Sequence, residues 1–400
     1  MSPPSLRQNA GLLLVLLAAL LATAVKVAWA LHSAGSCDVV FFFEDGKALG
    51  RLTLAQVYAN DPMFNHPPAT ALLVTALYRL ARADYPTFAA LFRFVEIAAD
   101  LGTIAALLWL RRRTGRPPWW ALVLFAASPV SIMVSGFHGN VDPLMVLFLT
   151  WAAAALLARR PALCGALFAA ACNVKVMPLA LAPVFLAWWW QHDRRGLARF
   201  SAAAGALLLA GSAVPLLRYP GLFLHNVLGY GGYWGSWGIT YWLQDTGFAD
   251  FQKFDFQGLS AAQVQIAWLL KAVVVGTIAA LAWRRRAVEG AAFFTTLTAA
   301  FALVFVFAPG AGPQYLVWAA PFLAWSAPGW SATVTVCSAV FMASFYHSTA
   351  DWHFPWDLAY PNGWEYIFWG PWTNLPWMAF VLLLAVQARR WWRAEGTVRQ

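Results

Sequence analysis

The chain has 400 residues, of which 61% are hydrophobic and only 11% are charged, whereas soluble domains carry roughly 25% charged residues. This composition excludes an ordinary soluble protein. The net charge of +10 does not indicate a nucleic-acid-binding protein, because the basic residues lie in short clusters between apolar runs rather than on one soluble face. The sequence therefore predicts an all-α, polytopic membrane protein with no nucleic-acid partner.

Apolar runs of roughly 15 to 22 residues follow one another along the whole chain, and runs of this length suit helices that cross a hydrocarbon core of about 30 Å. Basic clusters in short loops mark the cytoplasmic side, and alternating sides then gives about twelve spans in a single domain of residues 1–400. The predicted spans are residues 11–31, 88–110, 119–135, 142–158, 161–174, 176–190, 199–217, 262–283, 290–308, 314–326, 331–347 and 374–391. The first is interpreted as a retained anchor, since it is longer than a signal-peptide core of about 7 to 15 residues.

Three long loops, residues 32–87, 218–261 and 348–373, fall on the side opposite the basic clusters. Carboxylates collect on this side, although they were not used to place the spans. They are Asp38, Glu44, Asp45, Asp61, Asp84, Asp142, Asp245, Asp250, Asp255, Asp351, Asp357 and Glu365. Ionisable groups near a membrane are costly without a purpose, so the active side is predicted to be extracytoplasmic.

Two of these loops contain recognisable elements. Residues 67–83 predict an amphipathic helix at the membrane interface, with a short additional span as the alternative. The loop of residues 218–261 is rich in Gly, Tyr and Trp, which suits either a sugar-binding surface or a membrane-interface belt.

Asp38 is the leading catalytic candidate, because it lies just beyond the first span and could act as a base near a lipid headgroup. Partial burial among Phe41, Phe42 and Phe43 is expected to raise the pKa of Asp38, while Lys47 would oppose that rise. The alternative is an ordinary solvated loop acid.

Five other residues are candidates for a supporting or substrate-binding role. Asp45 lies in the same stretch, where an acid also favours the start of a loop helix. His66 precedes two prolines that fix the backbone, and it could carry a proton, contact substrate or simply pack. The tight loop FHGNVDP contains His138, Asn140 and Asp142.

Two cations are candidates for phosphate binding. Lys175 stands alone between two apolar runs and needs an anionic partner, either a phosphate or a protein carboxylate. Arg218, at the start of the second long loop, is supported by its position only. The sequence has no glycine-rich nucleotide loop, no HExxH and no Cys/His metal cluster, which argues against nucleotide-dependent chemistry in the cytosol.

The order of these features resembles the C-type (GT-C) superfamily of integral-membrane glycosyltransferases. It is most similar to the polyprenyl-phosphate-mannose-dependent mannosyltransferases, including the enzyme that begins the GPI-anchor glycan and bacterial relatives. The residues that carry the resemblance are Asp38 with FFFEDGKALG, the stretch QVYANDPMFNHPP, then Gly139, Asn140 and Asp142, then Lys175 and Pro178, then Gln314, Tyr315 and Trp318. Where the GPI enzymes have paired acids, this chain has Asp38 and Val40.

The resemblance implies an inverting transfer of mannose or another hexose from a polyprenyl-phosphate donor to a glycolipid, glycan or protein acceptor. Asp38 would deprotonate the acceptor, with Asp45, His66, His138 and Asp142 as supporting acid/base or acceptor-binding groups. Lys175 or Arg218 would stabilise the leaving phosphate, and Asn140, Gln314 and Tyr315 would contact substrate.

The resemblance implies no cofactor, and the single acid leaves a divalent metal open. The Ala- and Arg-rich composition suggests a high-GC bacterium, and the predicted topology then places the site at the periplasmic face of its inner membrane. Two alternatives are a lipid or sugar transporter (flippase) and a non-catalytic subunit of a cell-envelope complex.

Overall fold

The computed structural model describes residues 6–61, 63–230, 232, 234–252, 258–350, 352–360 and 374–398. Within these ranges the chain is helical apart from turns and one isolated bridge between Ser36 and Ala359. The helices are α1 (Leu6–His32), α2 (Cys37–Leu49), α3 (Leu54–Asn60), α4 (Pro68–Leu80), α5 (Tyr85–Thr114), α6 (Trp119–Ala126), α7 (Pro129–Ile132), α8 (Asp142–Leu157), α9 (Pro161–Val174), α10 (Ala182–His192), α11 (Arg194–Arg218), α12 (Pro220–Gly229), α13 (Gly238–Asp245), α14 (Ala261–Arg284), α15 (Ala291–Phe307), α16 (Ala320–Ser326), α17 (Pro328–Thr349) and α18 (Leu375–Val398). The predicted all-α class is confirmed.

Every predicted apolar segment coincides with helical structure, but three segments are interrupted near a proline. The segment of residues 119–135 divides into α6, α7 and a π-helical turn, Met133–His138. The segments of residues 176–190 and 314–326 each begin with a 3₁₀ turn, Met177–Leu181 and Pro313–Val317. Proline has no N–H to donate and its ring crowds the preceding turn, so a continuous α-helix does not pass through it easily.

In the described part of the chain, five helical stretches are long and apolar enough to cross a membrane. They are Asn9–His32, Trp119–His138, Arg194–Arg218, Ala261–Arg284 and Pro328–Thr349. Others are short: α8 has 16 residues and α9 has 14, fewer than the roughly 20 needed for a perpendicular crossing. The figure of twelve spans is therefore not confirmed.

Large apolar side chains are exposed on the outward faces of α1, α11 and α14, for example Leu13, Leu217 and Leu269. Such faces are unfavourable in water and suit contact with lipid tails. Inside the bundle, α9 and α11 pack so closely that a Cβ at Gly165 would lie only 2.2 Å from the Phe200 carbonyl oxygen. The helices can approach this closely because Gly165 has no side chain.

The predicted loop helix is present as α4. Its inner side buries Val74 and Leu77, whereas Leu72 and Leu80 are exposed beside Arg79. The apolar residues of α4 are therefore divided: some pack on protein and others face outward. The membrane-interface position of α4 stays a prediction.

The loops predicted to share a side of the membrane contact one another. The Cys37 N–H donates to the Ala359 carbonyl at 2.9 Å, and Asn226 Nδ2 donates to the Tyr58 carbonyl at 3.0 Å. At two predicted cytoplasmic loops, Arg159 Nη2 lies 3.5 Å from Glu289 Oε1. The contacts bring together loops that were predicted to share a side, and the orientation of the chain in the membrane stays a prediction.

Three acids of the predicted active side, Asp255, Asp351 and Glu365, lie outside the described residues, as do parts of the loops of residues 218–261 and 348–373.

Candidate active site

Asp38 lies in the first turn of α2, directly after a sharp turn that follows α1. Gly35 has φ +89° there, and a Cβ on it would lie 2.9 Å from Val39. Ser36 caps α2: its Oγ accepts a hydrogen bond from the Asp38 N–H at 3.2 Å and donates to the His138 carbonyl at 2.7 Å. A helix N-terminus favours a carboxylate, and the long-range hydrogen bond from Ser36 to His138 holds Asp38 beside the loop that follows His138.

Three side chains converge on one oxygen of Asp38. Its Oδ2 lies 2.6 Å from Asn140 Nδ2, 3.0 Å from His138 Nε2 and 3.2 Å from Gln314 Nε2. Among the described residues, the hydrogen bond found at Oδ1 is a long contact of 3.9 Å with Cys37 Sγ. The side chain is 25% exposed. One oxygen is thus fixed by three donors, whereas the contact found at the other is long.

The expected rise in the pKa of Asp38 is wrong. Burial raises this pKa, but His138, Asn140 and Lys175 together lower it below its ordinary value. The phenylalanines predicted a low-polarity environment, whereas the carboxylate receives hydrogen bonds that stabilise its charged form. Lys47 does not oppose burial at Asp38, because it pairs with Glu44 at 2.8 Å on the surface. Asp38 is consequently ionised at neutral pH.

The π-helical turn presents His138 and Asn140 to Asp38. Gly139 follows it with φ +75°, a conformation that favours glycine, and its N–H donates to the Val134 carbonyl at 3.1 Å. π-helical turns inside α-helices are frequent at functional sites. The short loop predicted from FHGNVDP therefore meets the residue that follows the first span, about a hundred positions earlier in the chain.

Asp142 and Lys175 form a buried ion pair. Lys175 Nζ lies 2.8 Å and 3.0 Å from the two oxygens of Asp142, which is fully buried. Trp318 Nε1 donates to Asp142 Oδ1 at 2.5 Å, and the ammonium lies 4.3 Å from the centre of the Tyr315 ring. Of the two partners left open for Lys175, the protein carboxylate is the one that the structure shows.

A cavity of about 470 Å³ opens beside this ion pair. Lys175, Tyr315 and Trp318 line one part of it, and α14 contributes Trp268 and Val275, which are also exposed. The remaining lining is mostly apolar and comes largely from α12, α15 and the Lys175 loop. The volume falls within the range of small-molecule sites, about 300 to 1,000 Å³, and the exposed lining residues include two on α14.

Asp38 is not among the residues that line this cavity. Asp38 is connected to the cavity through Gln314, the neighbour of the lining residue Tyr315. The charge of Lys175, another lining residue, also lowers the pKa of Asp38. A fixed carboxylate thus lies close to an open, apolar cavity.

Residues 64–309 match the model of glycosyltransferase family 87. The chain belongs to this family. Family 87 is of the GT-C type, so the resemblance to that superfamily is confirmed. The family match favours a transferase over a transporter. A comparison with curated proteins gives no match. The matched range contains the FHGNVDP loop and Lys175, whereas Asp38 and Gln314 lie outside it.

Two supporting candidates of this family 87 protein differ in environment. The His66 ring is buried, 5.0 Å from the Phe42 ring, and burial followed by the charge of Lys175 lowers its pKa to about 3. His66 is therefore neutral at neutral pH. Asp45 is buried two turns along α2 from Asp38, and burial followed by the charge of Asp61 raises its pKa to about 8.

The remaining phosphate candidate, Arg218, is exposed at the end of α11 and does not line the described cavity.

In the part of the chain that the structure describes, no three His, Cys, Asp or Glu side chains lie together as a candidate metal site. The expectation that no cofactor is needed stays a prediction.

Sequence reasoning missed four buried ionisable residues behind the site. Lys26 Nζ lies 2.6 Å from Asp100 Oδ2, and Arg93 Nη1 donates to the Gly136 carbonyl of the π-helical turn at 3.3 Å. Glu96 lies between Arg93 and Asp100 on α5 and is also buried. A signal was available, because residues 93, 96 and 100 recur at helical spacing within an otherwise apolar run.

A fifth residue was also missed. Lys271 lies near the middle of α14 and lines the cavity of this family 87 glycosyltransferase. Its signal was a single charge inside the apolar run of residues 262–283.

Proposed function

We propose that this protein is an inverting glycosyltransferase that moves a hexose from a polyprenyl-phosphate donor to an acceptor hydroxyl, with Asp38 as the general base. The observation that carries the proposal is the state of this carboxylate: it is ionised, held at Oδ2 by three donors, and contacted at Oδ1 by the Cys37 thiol at 3.9 Å. His138 is less suited to be the base itself. Its Nε2 faces Asp38, and its other nitrogen, Nδ1, is buried.

The proposed reaction is a single displacement. Asp38 Oδ1 takes the proton of the acceptor hydroxyl as that oxygen attacks the anomeric carbon from the side opposite the leaving group. The bond between the anomeric carbon and the phosphate oxygen breaks, its electron pair stays on the phosphate, and polyprenyl phosphate is released. His138, Asn140 and Gln314 keep the carboxylate oriented.

The cavity supports a lipid-linked donor. Its walls are mainly apolar, and its lining residues Trp268 and Val275 are exposed on α14, which suits an isoprenoid chain. Lys175 lines the cavity but is paired with Asp142, so its predicted contact with the phosphate stays a proposal, and Tyr315 contributes aromatic surface to the lining. Arg218 is exposed outside the described cavity, and we do not assign the phosphate to it.

Mannose is favoured as the donor sugar by the sequence resemblance, and the acceptor is a glycolipid, glycan or protein. We place the reaction at the extracytoplasmic face of a bacterial inner membrane, because the short Arg-rich loops lie on the other side of the predicted topology. A cysteine introduced in the loop of residues 218–261 should react with a membrane-impermeant maleimide in intact spheroplasts. Labelling only after lysis would reverse the assigned orientation.

The decisive experiment compares Asp38→Asn with Asp84→Asn. Membranes containing each variant are supplied with polyprenyl-phosphate mannose, and the labelled glycan product is measured. Asp38→Asn keeps an oxygen that can accept the same hydrogen bonds but removes the base, so transfer should fall roughly 10²- to 10⁴-fold.

Asp84 is the matched control, because it is a cap of α5 whose Oδ2 accepts the Thr87 N–H at 3.0 Å. Asparagine is an equally good cap, so Asp84→Asn should transfer sugar at the wild-type rate. Undiminished transfer by Asp38→Asn would overturn the assignment of the base. Transfer from a nucleotide sugar but not from the polyprenyl-phosphate sugar would overturn the assignment of the donor.

A further inference from the structure

Lys271 places a charge near the middle of a helix that otherwise suits the bilayer interior. Helix α14 runs from Ala261 to Arg284 and contains no Asp or Glu. The side chain of Lys271 is one of the few polar groups that line the open cavity. A cation inside an apolar span is costly and is usually retained for a partner or a function.

The protein partners of Lys271 are neutral groups. Its Nζ donates to the carbonyls of Gly229 and Leu228, at 2.9 Å and 3.2 Å, and lies 4.6 Å from the centre of the Trp268 ring. The carbonyls belong to the C-terminal end of α12, which carries the equivalent of roughly half a negative charge. Among the described residues no carboxylate lies within ion-pair distance of Lys271.

Lys175, the other lysine of the cavity, differs in this respect. Both oxygens of Asp142 contact it, so its charge is balanced within the protein. Of the two lysines in the described part of the cavity lining, only Lys271 has no carboxylate partner. An anionic ligand is therefore attracted to Lys271 more strongly than to Lys175.

We propose that Lys271 binds the phosphate of an isoprenoid phosphate in this cavity. The inference rests on the proposed function and adds a binding residue to it. A phosphate oxygen would receive a charge-assisted hydrogen bond from Nζ, while Trp268 and Val275, on the same helix, contact the first isoprene units. A membrane phospholipid carries a phosphate of similar chemistry, and the experiment separates the two sources.

The test uses the purified full-length protein in neutral detergent with farnesyl phosphate and farnesol as probes. The variants are Lys271→Met, which removes the charge, and Lys271→Arg, which keeps it. The control is Lys47→Met, because Lys47 is exposed and paired with Glu44. Lys271→Met should bind farnesyl phosphate roughly 10- to 100-fold more weakly, the effect of one charge-assisted hydrogen bond. Its affinity for farnesol should not change, Lys271→Arg should retain most of the phosphate preference, and Lys47→Met should match the wild type.

If Lys271 only caps α12, Lys271→Met should weaken both probes equally or lower thermal stability without changing the preference for phosphate, and either result overturns the proposal. To separate the lipid sources, binding is repeated in nanodiscs of phosphatidylcholine and of phosphatidylglycerol. Strong competition by phosphatidylglycerol that disappears in Lys271→Met would assign the site to membrane phospholipid and overturn the isoprenoid assignment.

The two proposals can fail separately. Unchanged farnesyl phosphate binding by Lys271→Met, together with loss of transfer by Asp38→Asn, would overturn the role of Lys271 and leave the proposed function standing. Lys271-dependent binding without any sugar transfer by the wild type would support the phosphate site and contradict the function.

Discussion

The buried pair of Asp142 and Lys175 can be compared directly with the surface pair of Glu44 and Lys47. Both have a shortest N–O distance of 2.8 Å, but the side chains are 0% and 10% exposed in the first pair and 55% and 41% exposed in the second. With an effective dielectric constant of about 20, unit charges at this separation attract by roughly 6 kcal/mol, and desolvation offsets several kcal/mol of that attraction.

Replacing Asp142 by Asn leaves the charge of Lys175 nearly buried without an anion. Breaking a buried pair in this way costs about 3 to 5 kcal/mol of unfolding free energy. We expect the lower end, about 3 kcal/mol, because Lys175 lines the open cavity and can be partly hydrated there. Adding Lys175→Met should recover much of this loss, since the double variant has no unpaired charge.

The assay is a double-mutant cycle. The free energy of unfolding in mixed micelles is measured for Asp142→Asn, Lys175→Met, the double variant and the wild type. The same cycle with Glu44→Gln and Lys47→Met is the control, for which exposed pairs give about 0.2 to 1 kcal/mol of coupling. If the coupling at the buried pair is no larger than in the control cycle, the reasoning is refuted. The two pairs have the same N–O distance, so only their different burial can make their coupling energies differ.

Three other changes test separate features of the site. Gly139→Ala should lower the unfolding free energy by about 1 to 3 kcal/mol, because φ is +75° and the new Cβ would lie 3.0 Å from Val39; an unchanged thermal midpoint would contradict this. The lowered pKa of Asp38 means that its ionised form is lost only as pH falls below its ordinary value of about 3.9. The rate of sugar transfer should therefore show no acidic limb from Asp38 between pH 8 and 5, and a limb near pH 6 that moves in Asp38→Glu would count against the geometry. Asp45 has a pKa raised to about 8, so its protonated form stabilises the folded state. This contribution is fully present below the ordinary pKa of about 3.9 and is lost progressively as pH rises from there through 8. Asp45→Asn should remove up to about 1.36 kcal/mol of pH dependence per pH unit in that window, and an unaltered fall in thermal stability from pH 5 to 9 would speak against a buried, protonated Asp45.

The sequence by itself was sufficient to predict the long apolar helices. A chain in lipid must satisfy its backbone hydrogen bonds internally, and apolar runs are a local signal, so α1, α14 and α17 follow from the residues that form them. The position of Asp38 at the end of the first span and the glycine turn before Asn140 are local features for the same reason.

The pairing and charge of the site were decided only by the tertiary structure. Asp38 meets His138, Asn140 and Gln314 from two distant parts of the chain, and these contacts lower a pKa that the neighbouring phenylalanines led us to expect raised. Likewise, Asp142 balances Lys175 while Lys271 faces only neutral groups of the described residues. Ionisation and pairing depend on every group within a few ångströms in space, and a linear sequence does not state which groups those are.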